Sequence, residues 1–140
     1  MNSIYDMLVE AQRAIQKIDG IIVEEMESKA TECVASIQAV TPVGIYPFES
    51  GRTGGTLRRS MTHSNITKMP GSWSVKIGSS IIYCKPVEEG HSQTPGRYVP
   101  AIGKRLKKSF VPGKHMIRDN AYRYQEILNR SIQDRIEREV

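Results

Sequence analysis

Side chains that could carry out chemistry are few in this sequence and lie far apart. The three histidines, His63, His91 and His115, fall in three different predicted elements, and none has a second ligand at a spacing suited to a metal ion. Surface or packing roles are the favoured interpretation of all three. The two cysteines, Cys33 and Cys84, show no CxxC spacing, so we interpret them as buried free thiols and not as a disulfide or a zinc site.

Two other patterns have part of a catalytic or ligand-binding motif but lack the residues that complete it. The run Gly51–Thr56 is rich in glycine, yet it has no Gly-Lys-Ser/Thr ending and no predicted strand precedes it, which favours a flexible loop over a phosphate site. Glu88 and Glu89 are adjacent, and neighbouring side chains in a strand or loop point apart, so we interpret them as charge partners of nearby Arg or Lys. The sequence therefore predicts no catalytic residue, no cofactor, no metal site and no enzymatic activity.

The run from Gly103 to Phe110 concentrates positive charge and allows two interpretations. Its basic side chains are Lys104, Arg105, Lys107 and Lys108. As an extended hairpin they could line a surface that attracts a polyanion through phosphate contacts. Alternatively they form a solvated basic edge, where lysine discourages strand-to-strand aggregation. The second interpretation is slightly favoured, because few aromatic residues accompany the charges and little is available to stack on bases.

The net charge of +5 on 140 residues is unevenly distributed. Residues 1–40 carry three basic and seven acidic side chains, a sum of −4, whereas residues 50–118 carry thirteen basic and two acidic ones, a sum of +11. Residues 119–140 return to −1, with four basic and five acidic side chains. No apolar run approaches the roughly 18 residues of a membrane span, and the first residues do not match a secretory signal, so a protein kept in the cytosol is expected.

Two long amphipathic helices are predicted to position these residues. From Ser3 to Val40 apolar residues recur at spacings of three and four, the period of one helical face, which predicts a helix over residues 1–40. Thr41-Pro42 ends this helix, because proline cannot continue the hydrogen-bond ladder. The same spacing returns after Gly113 and predicts a second helix over residues 114–138.

Between the helices the sequence predicts a loop followed by strands. Residues 42–56 contain two prolines and four glycines and are predicted to form an exposed loop that orders on assembly. Residues 57–113 are predicted to form a β-rich basic middle, with a β-hairpin across the Met-Pro-Gly turn at 69–71. We therefore expect a single domain over residues 1–140 of the α+β class, in which a small antiparallel sheet is packed by the two helices.

Three short patterns, here called signatures one, two and three, follow one another between residues 38 and 125. Signature one is Thr41-Pro42-Val43, followed by Gly54-Gly55-Thr56-Leu57-Arg58-Arg59-Ser60-Met61. Signature two consists of Tyr83, Val87, Glu88 and Gly90. Signature three is Pro112-Gly113-Lys114-His115-Met116-Ile117-Arg118, with Ala121. In combination they resemble the tail-completion, or minor tail-component, family of long-tailed phages. The chain departs from that family in the extra residues 44–52 and in a longer basic stretch at 96–110.

This resemblance implies a structural subunit of the virion neck, where head and tail are joined, that is assembled in the host cytoplasm. It implies that copies of the chain form a ring, with a hexamer as a candidate stoichiometry, between the portal-side connector and the tail terminator or tail tube. It implies no catalysis. DNA passing through the lumen of such a ring is a further candidate partner, and no membrane partner is expected.

Twelve residues are candidates for a subunit interface or a DNA channel. They are Arg52, Leu57, Arg58, Arg59, Glu88, Glu89, Lys104, Arg105, Lys107, Lys108, His115 and Arg118. Leu57 is predicted to anchor a short turn in the core, while Arg58 and Arg59 point outward to acidic groups, with Glu88 as their internal partner. His115 is predicted to lie near the start of the last helix.

The charge division suggests a hypothesis for ring closure. In a ring each subunit presents unlike surfaces to its two neighbours, and an acidic helix and a basic middle could supply them. Alternatively the basic stretch faces DNA in the lumen. Reversing the charge of Lys104, Arg105, Lys107 and Lys108 should abolish ring assembly in the first case and spare it in the second. A free basic nucleic-acid-binding protein is the alternative function, and a small nuclease ranks third because no cluster of carboxylates or histidines is present.

Overall fold

The computed structural model describes residues 3–44, 49, 51, 54–100 and 103–140. It confirms the predicted α+β class, with a long helix at each end and short antiparallel strands between them. In chain order the elements are α1 (Ile4–Val40), α2 (Thr56–Ser60), β1 (Thr62–His63), β2 (Thr67–Met69), β3 (Ser72–Ser74), β4 (Ile77–Gly78), α3 (Cys84–Glu89), β5 (Gly90–Ser92), β6 (Tyr98–Val99), β7 (Lys104–Arg105), β8 (Phe110–Pro112) and α4 (Met116–Glu139). None of these helices is long and apolar enough to cross a membrane.

Helices α1 and α4 pack against each other in antiparallel orientation. Near the start of α4, the hydroxyl of Tyr124 lies 2.9 Å from the hydroxyl of Ser36 in the last turns of α1. Near the end of α4, Arg135 Nη1 lies 2.9 Å from Glu24 Oε2 in the middle of α1. Because α1 has 37 residues and α4 has 24, the antiparallel pairing leaves the first part of α1 beyond the end of α4.

The ends of α1 follow from local chemistry. Its first turn is closed by a capping box, in which Ser3 Oγ accepts from the backbone N–H of Asp6 at 3.1 Å and the Asp6 carboxylate accepts from the N–H of Ser3 at 3.2 Å. Its last turn ends at Thr41, which is fully buried and donates its hydroxyl to the carbonyl of Ile37 at 2.6 Å. The helix therefore ends where the sequence predicted, at Thr41-Pro42, and the Thr41 hydroxyl pairs with a carbonyl of its last turn.

The strands pair in four two-stranded antiparallel ladders that build two interrupted hairpins, instead of one continuous sheet. In the first hairpin β1 pairs with β4, and β2 pairs with β3 nearer the turn. The register is displaced by one residue between the two ladders, since His63 lies opposite Ile77 and Thr67 opposite Ser74. The predicted hairpin around residues 69–71 is confirmed.

The second hairpin spans residues 90–112 and is called the basic arm below. At its base β5 pairs with β8, so that Gly90 lies opposite Pro112, and towards its tip β6 pairs with β7, so that Tyr98 lies opposite Arg105. Between these ladders the N–H of Gln93 donates to the carbonyl of Ser109 at 2.9 Å. Its described residues, 90–100 and 103–112, are exposed or half-buried throughout.

The core lies where α1, α2, α3 and α4 meet. Its buried members are Cys33, Ile37, Leu57, Met61, Cys84 and Met116. Both cysteines are free and buried, as predicted, and loss of solvation on burial raises the pKa of each thiol. A raised pKa keeps a thiol protonated and unreactive at neutral pH, so the two cysteines serve as small apolar side chains.

Candidate interaction surfaces

Signatures two and three bind each other at the start of α4. The backbone N–H of Lys114 donates to the carbonyl of Val87 at 2.8 Å, and that of His115 donates to the carbonyl of Glu88 at 3.0 Å. The two backbones approach so closely that a Cβ built on Gly113 would lie 2.3 Å from the carbonyl oxygen of Glu88. Only glycine leaves room for this crossing, which explains the Pro-Gly of signature three in steric terms.

Glu88 caps α4 from a different element. Its Oε2 accepts from the N–H of Ile117 at 2.9 Å, and its Oε1 accepts from the N–H of Arg118 at 2.8 Å. These N–H groups lie in the first turn, where no intrahelical carbonyl is available, and a carboxylate is also favoured by the positive end of the helix dipole. His115 occupies the N-cap position with a left-handed φ of 49° and makes no side-chain cap.

The predicted pairing of Arg58 and Arg59 with Glu88 is wrong. Arg58 donates from Nη2 to the carbonyl of Thr41 at 2.9 Å and from Nε to the same oxygen at 3.3 Å. Arg59 donates to the carbonyl of Gly54 at 3.2 Å. Both guanidinium groups therefore satisfy carbonyls left unpaired at the ends of segments, and the Glu88 carboxylate is already occupied by α4.

Residues of signature one hold the two ends of the 42–56 segment close together. Arg58 ties α2 to Thr41, and a Cβ built on Gly54 would lie 1.9 Å from the carbonyl oxygen of Gly44. Leu57 is buried in the core, as its predicted anchoring role requires. Arg52 lies outside the described residues, as do residues 45–48, 50 and 53 of the predicted exposed loop.

The other candidate residues lie at three separate places on the surface. Glu89 is exposed at the end of α3, and Arg118 is exposed on the first turn of α4, 3.4 Å from the carboxylate of Asp119. Four of the candidates belong to the basic arm, namely Lys104, Arg105, Lys107 and Lys108. The structure thus brings Glu88, His115 and Arg118 together in one junction at the base of the basic arm, whereas the four basic candidates lie farther along the arm.

Sequence reasoning missed an exposed apolar surface on the first half of α1. Five large apolar side chains there, called the apolar stripe below, are mostly exposed, with exposed fractions of 77% at Ile4, 59% at Leu8 and 65% at Ile15. Tyr5 and Met7 complete the stripe. Helical periodicity correctly predicted the apolar face of α1. The apolar pattern of the last helix is much shorter than that of α1, and this difference in length was the signal that part of the face would stay exposed.

A groove continues the apolar stripe towards the first hairpin. It has a volume of ≈ 510 Å³ and lies between Ile15 and Ile18 of α1 and Met69 and Trp73 of the hairpin. Asp19 fastens the hairpin to α1 at this point.

Two hydrogen bonds to Asp19 hold that junction. Lys68 Nζ lies 2.7 Å from Asp19 Oδ2, and Trp73 Nε1 donates to Asp19 Oδ1 at 2.9 Å. The hydrogen bond from Lys68 contributes most to lowering the pKa of the Asp19 carboxyl below its ordinary value.

The histidines are separated in space as they are in sequence. His63 lies with Nε2 3.3 Å from Thr31 Oγ1, His91 is exposed at the base of the basic arm, and His115 precedes α4. Within the described part of the chain, no group of three His, Cys, Asp or Glu side chains is arranged to hold a metal ion.

Comparison of the chain with protein-family models, curated protein sequences and solved structures finds no match.

Proposed function

We propose that this protein is a non-enzymatic structural subunit of a phage neck, a tail-completion protein whose copies form a ring between the portal-side connector and the tail. The observation that carries the assembly role is the apolar stripe. A monomer in water gains nothing from five large apolar side chains held on one side of a helix, whereas a neighbouring subunit would bury them.

The geometry of α1 supports a contact with another chain at this place. Lys17 Nζ donates to the backbone carbonyl of Glu139, so α4 ends beside the fourth turn of α1. The residues of α1 before Lys17 project by about 20 Å at 1.5 Å per residue. The tip of the first hairpin comes near the end of this projecting part, at the groove beside Ile15.

The apolar stripe is large enough to contribute substantially to a subunit contact. Burial of one large apolar side chain contributes roughly 1.5–3 kcal/mol, so five side chains that are about two-thirds exposed contribute on the order of 5–10 kcal/mol. This is comparable with the free-energy cost of association, about 4–15 kcal/mol. Repetition of the same contact around a closed ring would supply the remaining stability.

Acidic side chains of α1 contribute less to this contact than their number suggests. Asp19 is bound by Lys68, and Glu24 and Glu25 are bound by Arg135 at 2.9 and 3.3 Å. Lys68 and Arg135 thus offset part of the negative charge of these three carboxylates, and Arg135 is shared with Glu139 as well. The apolar stripe is therefore a better basis for ring closure than attraction between an acidic helix and a basic middle.

The position in the neck rests on the resemblance of signatures one to three. Their residues form the closed ends of the 42–56 segment and the capped start of α4, so their spacing has a physical reason in this fold. Particles produced by the genome that carries this sequence provide the test. The chain should be a constituent of purified particles, and antibody labelling should place it at the head–tail junction in negative-stain images.

A matched pair of variants tests the apolar stripe. Leu8→Glu with Ile15→Glu places two charges in the stripe, and Gln16→Glu with Ser28→Glu places two charges at exposed positions elsewhere on α1. The first variant should be lost from particles, and the second should be incorporated like the unmodified chain. Absence of the unmodified chain from particles, or labelling of the capsid shell, would contradict the proposed function. Equal incorporation of both variants would show that assembly does not depend on the apolar stripe.

The basic arm favours a second function, that of a free basic nucleic-acid-binding protein. Under that function the monomer binds duplex DNA and is absent from particles. The particle assay therefore separates the two functions directly.

A further inference from the structure

The basic arm has no hydrophobic core of its own. Its two strands pair only with each other among the described residues, through the β5–β8 and β6–β7 ladders. From Gly90 to Val99 it comprises ten residues, interrupted at Pro95-Gly96 by a turn in which the N–H of Arg97 donates to the carbonyl of Thr94 at 3.3 Å. A two-stranded ribbon is marginally stable by itself in water. An element of this length and exposure is therefore suited to binding a partner and adds little to the stability of the domain.

The arm carries positive charge alone. Residues 90–112 contain no Asp or Glu and five strongly basic side chains, which are Arg97, Lys104, Arg105, Lys107 and Lys108. All five are exposed, and no ion pair within the described part of the chain includes any of them. Arg105 donates to the backbone carbonyl of Gly96 at 3.0 Å, which holds it within the ribbon. Five like charges on one ribbon repel one another, and a bound polyanion would offset that repulsion.

The register places the charges on both faces of the ribbon. Arg105 lies directly opposite Tyr98, and Lys104 lies opposite Val99, so these two pairs point to opposite faces. A flat acidic protein surface would meet one face only. The major groove of duplex DNA is about 12 Å wide and admits a two-stranded ribbon, so that phosphates on its two walls approach both faces.

The aromatic side chains of the arm argue for a duplex and against a single strand. Tyr98 lies near the tip and Phe110 at the base, and each is about half exposed. Single-strand binding needs neighbouring aromatic rings on which successive bases stack. Two rings at opposite ends of the ribbon do not offer such a platform, whereas phosphate contacts need only the cations.

We propose that the basic arm binds the phosphate backbone of duplex DNA without reading its sequence. The contact is a property of the chain, and its location in the lumen of a ring rests on the proposed function. There the arm of each copy would reach the DNA that passes from head to tail.

Salt dependence measures the number of phosphate contacts. For duplex DNA, log K falls with log salt by about 0.9 per neutralised phosphate. Five contacts therefore predict a slope of about −4.5 and a weakening of about 500-fold between 50 and 200 mM salt. Fluorescence anisotropy with a labelled duplex of about 30 base pairs, in two unrelated sequences, measures both quantities, and the two sequences should bind equally.

A charge-matched pair of variants assigns the binding to the arm. The arm variant reverses Lys104, Arg105, Lys107 and Lys108 to Glu, and the control reverses four exposed basic residues elsewhere. The control substitutions are Arg13→Glu, Lys76→Glu, Lys85→Glu and Arg130→Glu. We expect the arm variant to lose at least 100-fold in affinity at 50 mM salt with a slope near −1, and the control to lose less than 10-fold. Circular dichroism establishes that both variants are folded.

Four results would overturn the proposal. These are no binding of the unmodified chain to DNA at 50 mM salt, equal loss in both variants, tighter arm-dependent binding to poly-L-glutamate than to DNA, and loss of the arm variant from particles. The last two would assign the arm to an acidic protein surface or to a subunit contact. Failure of DNA binding leaves the particle assay of the proposed function unaffected, and absence from particles leaves DNA binding unaffected.

Discussion

Replacing Glu88 by alanine tests how the start of α4 is held. The carboxylate accepts hydrogen bonds from the N–H groups of Ile117 and Arg118 at 2.9 and 2.8 Å. These are the second and third residues of the helix, the positions that a side chain at the N-cap usually satisfies. His115, at the N-cap itself, makes no such bond. Alanine at position 88 would leave both N–H groups without their acceptor and remove a negative charge from the positive end of the helix.

The expected loss of stability is the sum of two effects. Loss of an N-cap side chain costs about 1 kcal/mol, within a range of about 0.5–2. Loss of a favourable charge at a helix N-terminus costs about 0.3–1 kcal/mol at the surface and up to about 2 where it is partly buried. Because Glu88 is half-buried, we expect the free energy of unfolding to fall by about 2 kcal/mol. For a chain of this length, this lowers Tm by about 8 °C.

Glu88→Gln separates the two effects. The amide keeps one oxygen acceptor and loses the charge, so we expect a fall of about 1 kcal/mol. Glu89→Ala is the matched control, since Glu89 is the adjacent carboxylate, is exposed, and should change stability by no more than about 0.5 kcal/mol.

Urea denaturation followed by circular dichroism gives the free energies for all three variants. Hydrogen exchange at the amides of Ile117 and Arg118 gives the local effect, which should be faster exchange in Glu88→Ala alone. A loss of less than about 0.5 kcal/mol in Glu88→Ala, or an equal loss in Glu89→Ala, would contradict the capping role of Glu88.

Two further predictions concern the packing of the chain. Gly113→Ala places a Cβ 2.3 Å from a backbone carbonyl oxygen and should cost about 1–3 kcal/mol, whereas Gly20→Ala meets nothing within 4 Å in the middle of α1 and should stabilise by about 0.5–1 kcal/mol; urea denaturation of both variants checks the opposite signs. The pKa of Asp19 is lowered from 3.8 in the folded chain, so its contribution to stability is present above that pH and is lost as the pH falls through the folded pKa. The fluorescence of Trp73, the one tryptophan of the sequence, should report this protonation with a midpoint below 3.8, and Lys68→Met should move the midpoint upward; an unchanged midpoint would contradict the role of Lys68.

The parts of the fold that depend on local periodicity could be predicted from the sequence. The first helix, predicted over residues 1–40, is Ile4–Val40 in the structure, and the second, predicted over residues 114–138, is Met116–Glu139. Both follow from apolar residues spaced for one helical face. The hairpin around residues 69–71 was predictable for the same reason, since its turn residues and its alternation are local.

The contacts that depend on distant parts of the chain could not be predicted. Charge alone suggested that Glu88 pairs with Arg58 or Arg59, whereas the carboxylate caps a helix that begins 28 residues later. Nothing in a linear sequence indicates which carbonyl or N–H group lacks a partner after folding. The sequence predicted one small sheet, whereas the structure has four separate ladders of two or three residues per strand. Strands this short contain too few residues to show a periodic pattern.

The apolar stripe illustrates a different limit. Periodicity identifies an apolar helical face, but it does not reveal how much of that face the rest of the chain covers. Coverage depends on the relative lengths of two packed helices and on the alignment of their antiparallel contact, which in this fold places Tyr124 against Ser36. The lengths were available from the sequence, and the point of contact was not.

Signatures one to three and the two exposed surfaces act at different levels, and substitutions in them should differ accordingly. The signatures supply Leu57, Glu88 and Met116 to the core and to the helix cap, so changes there should lower stability, and under the proposed function they impair assembly only as a consequence. The basic arm and the apolar stripe contact little of the chain, so changes there should leave the free energy of unfolding nearly unchanged and alter binding alone. It follows that the signatures define a scaffold without specifying a partner. Two chains that share the signatures and differ in the arm or the stripe should therefore keep the same fold and, under the proposed function, assemble with different partners.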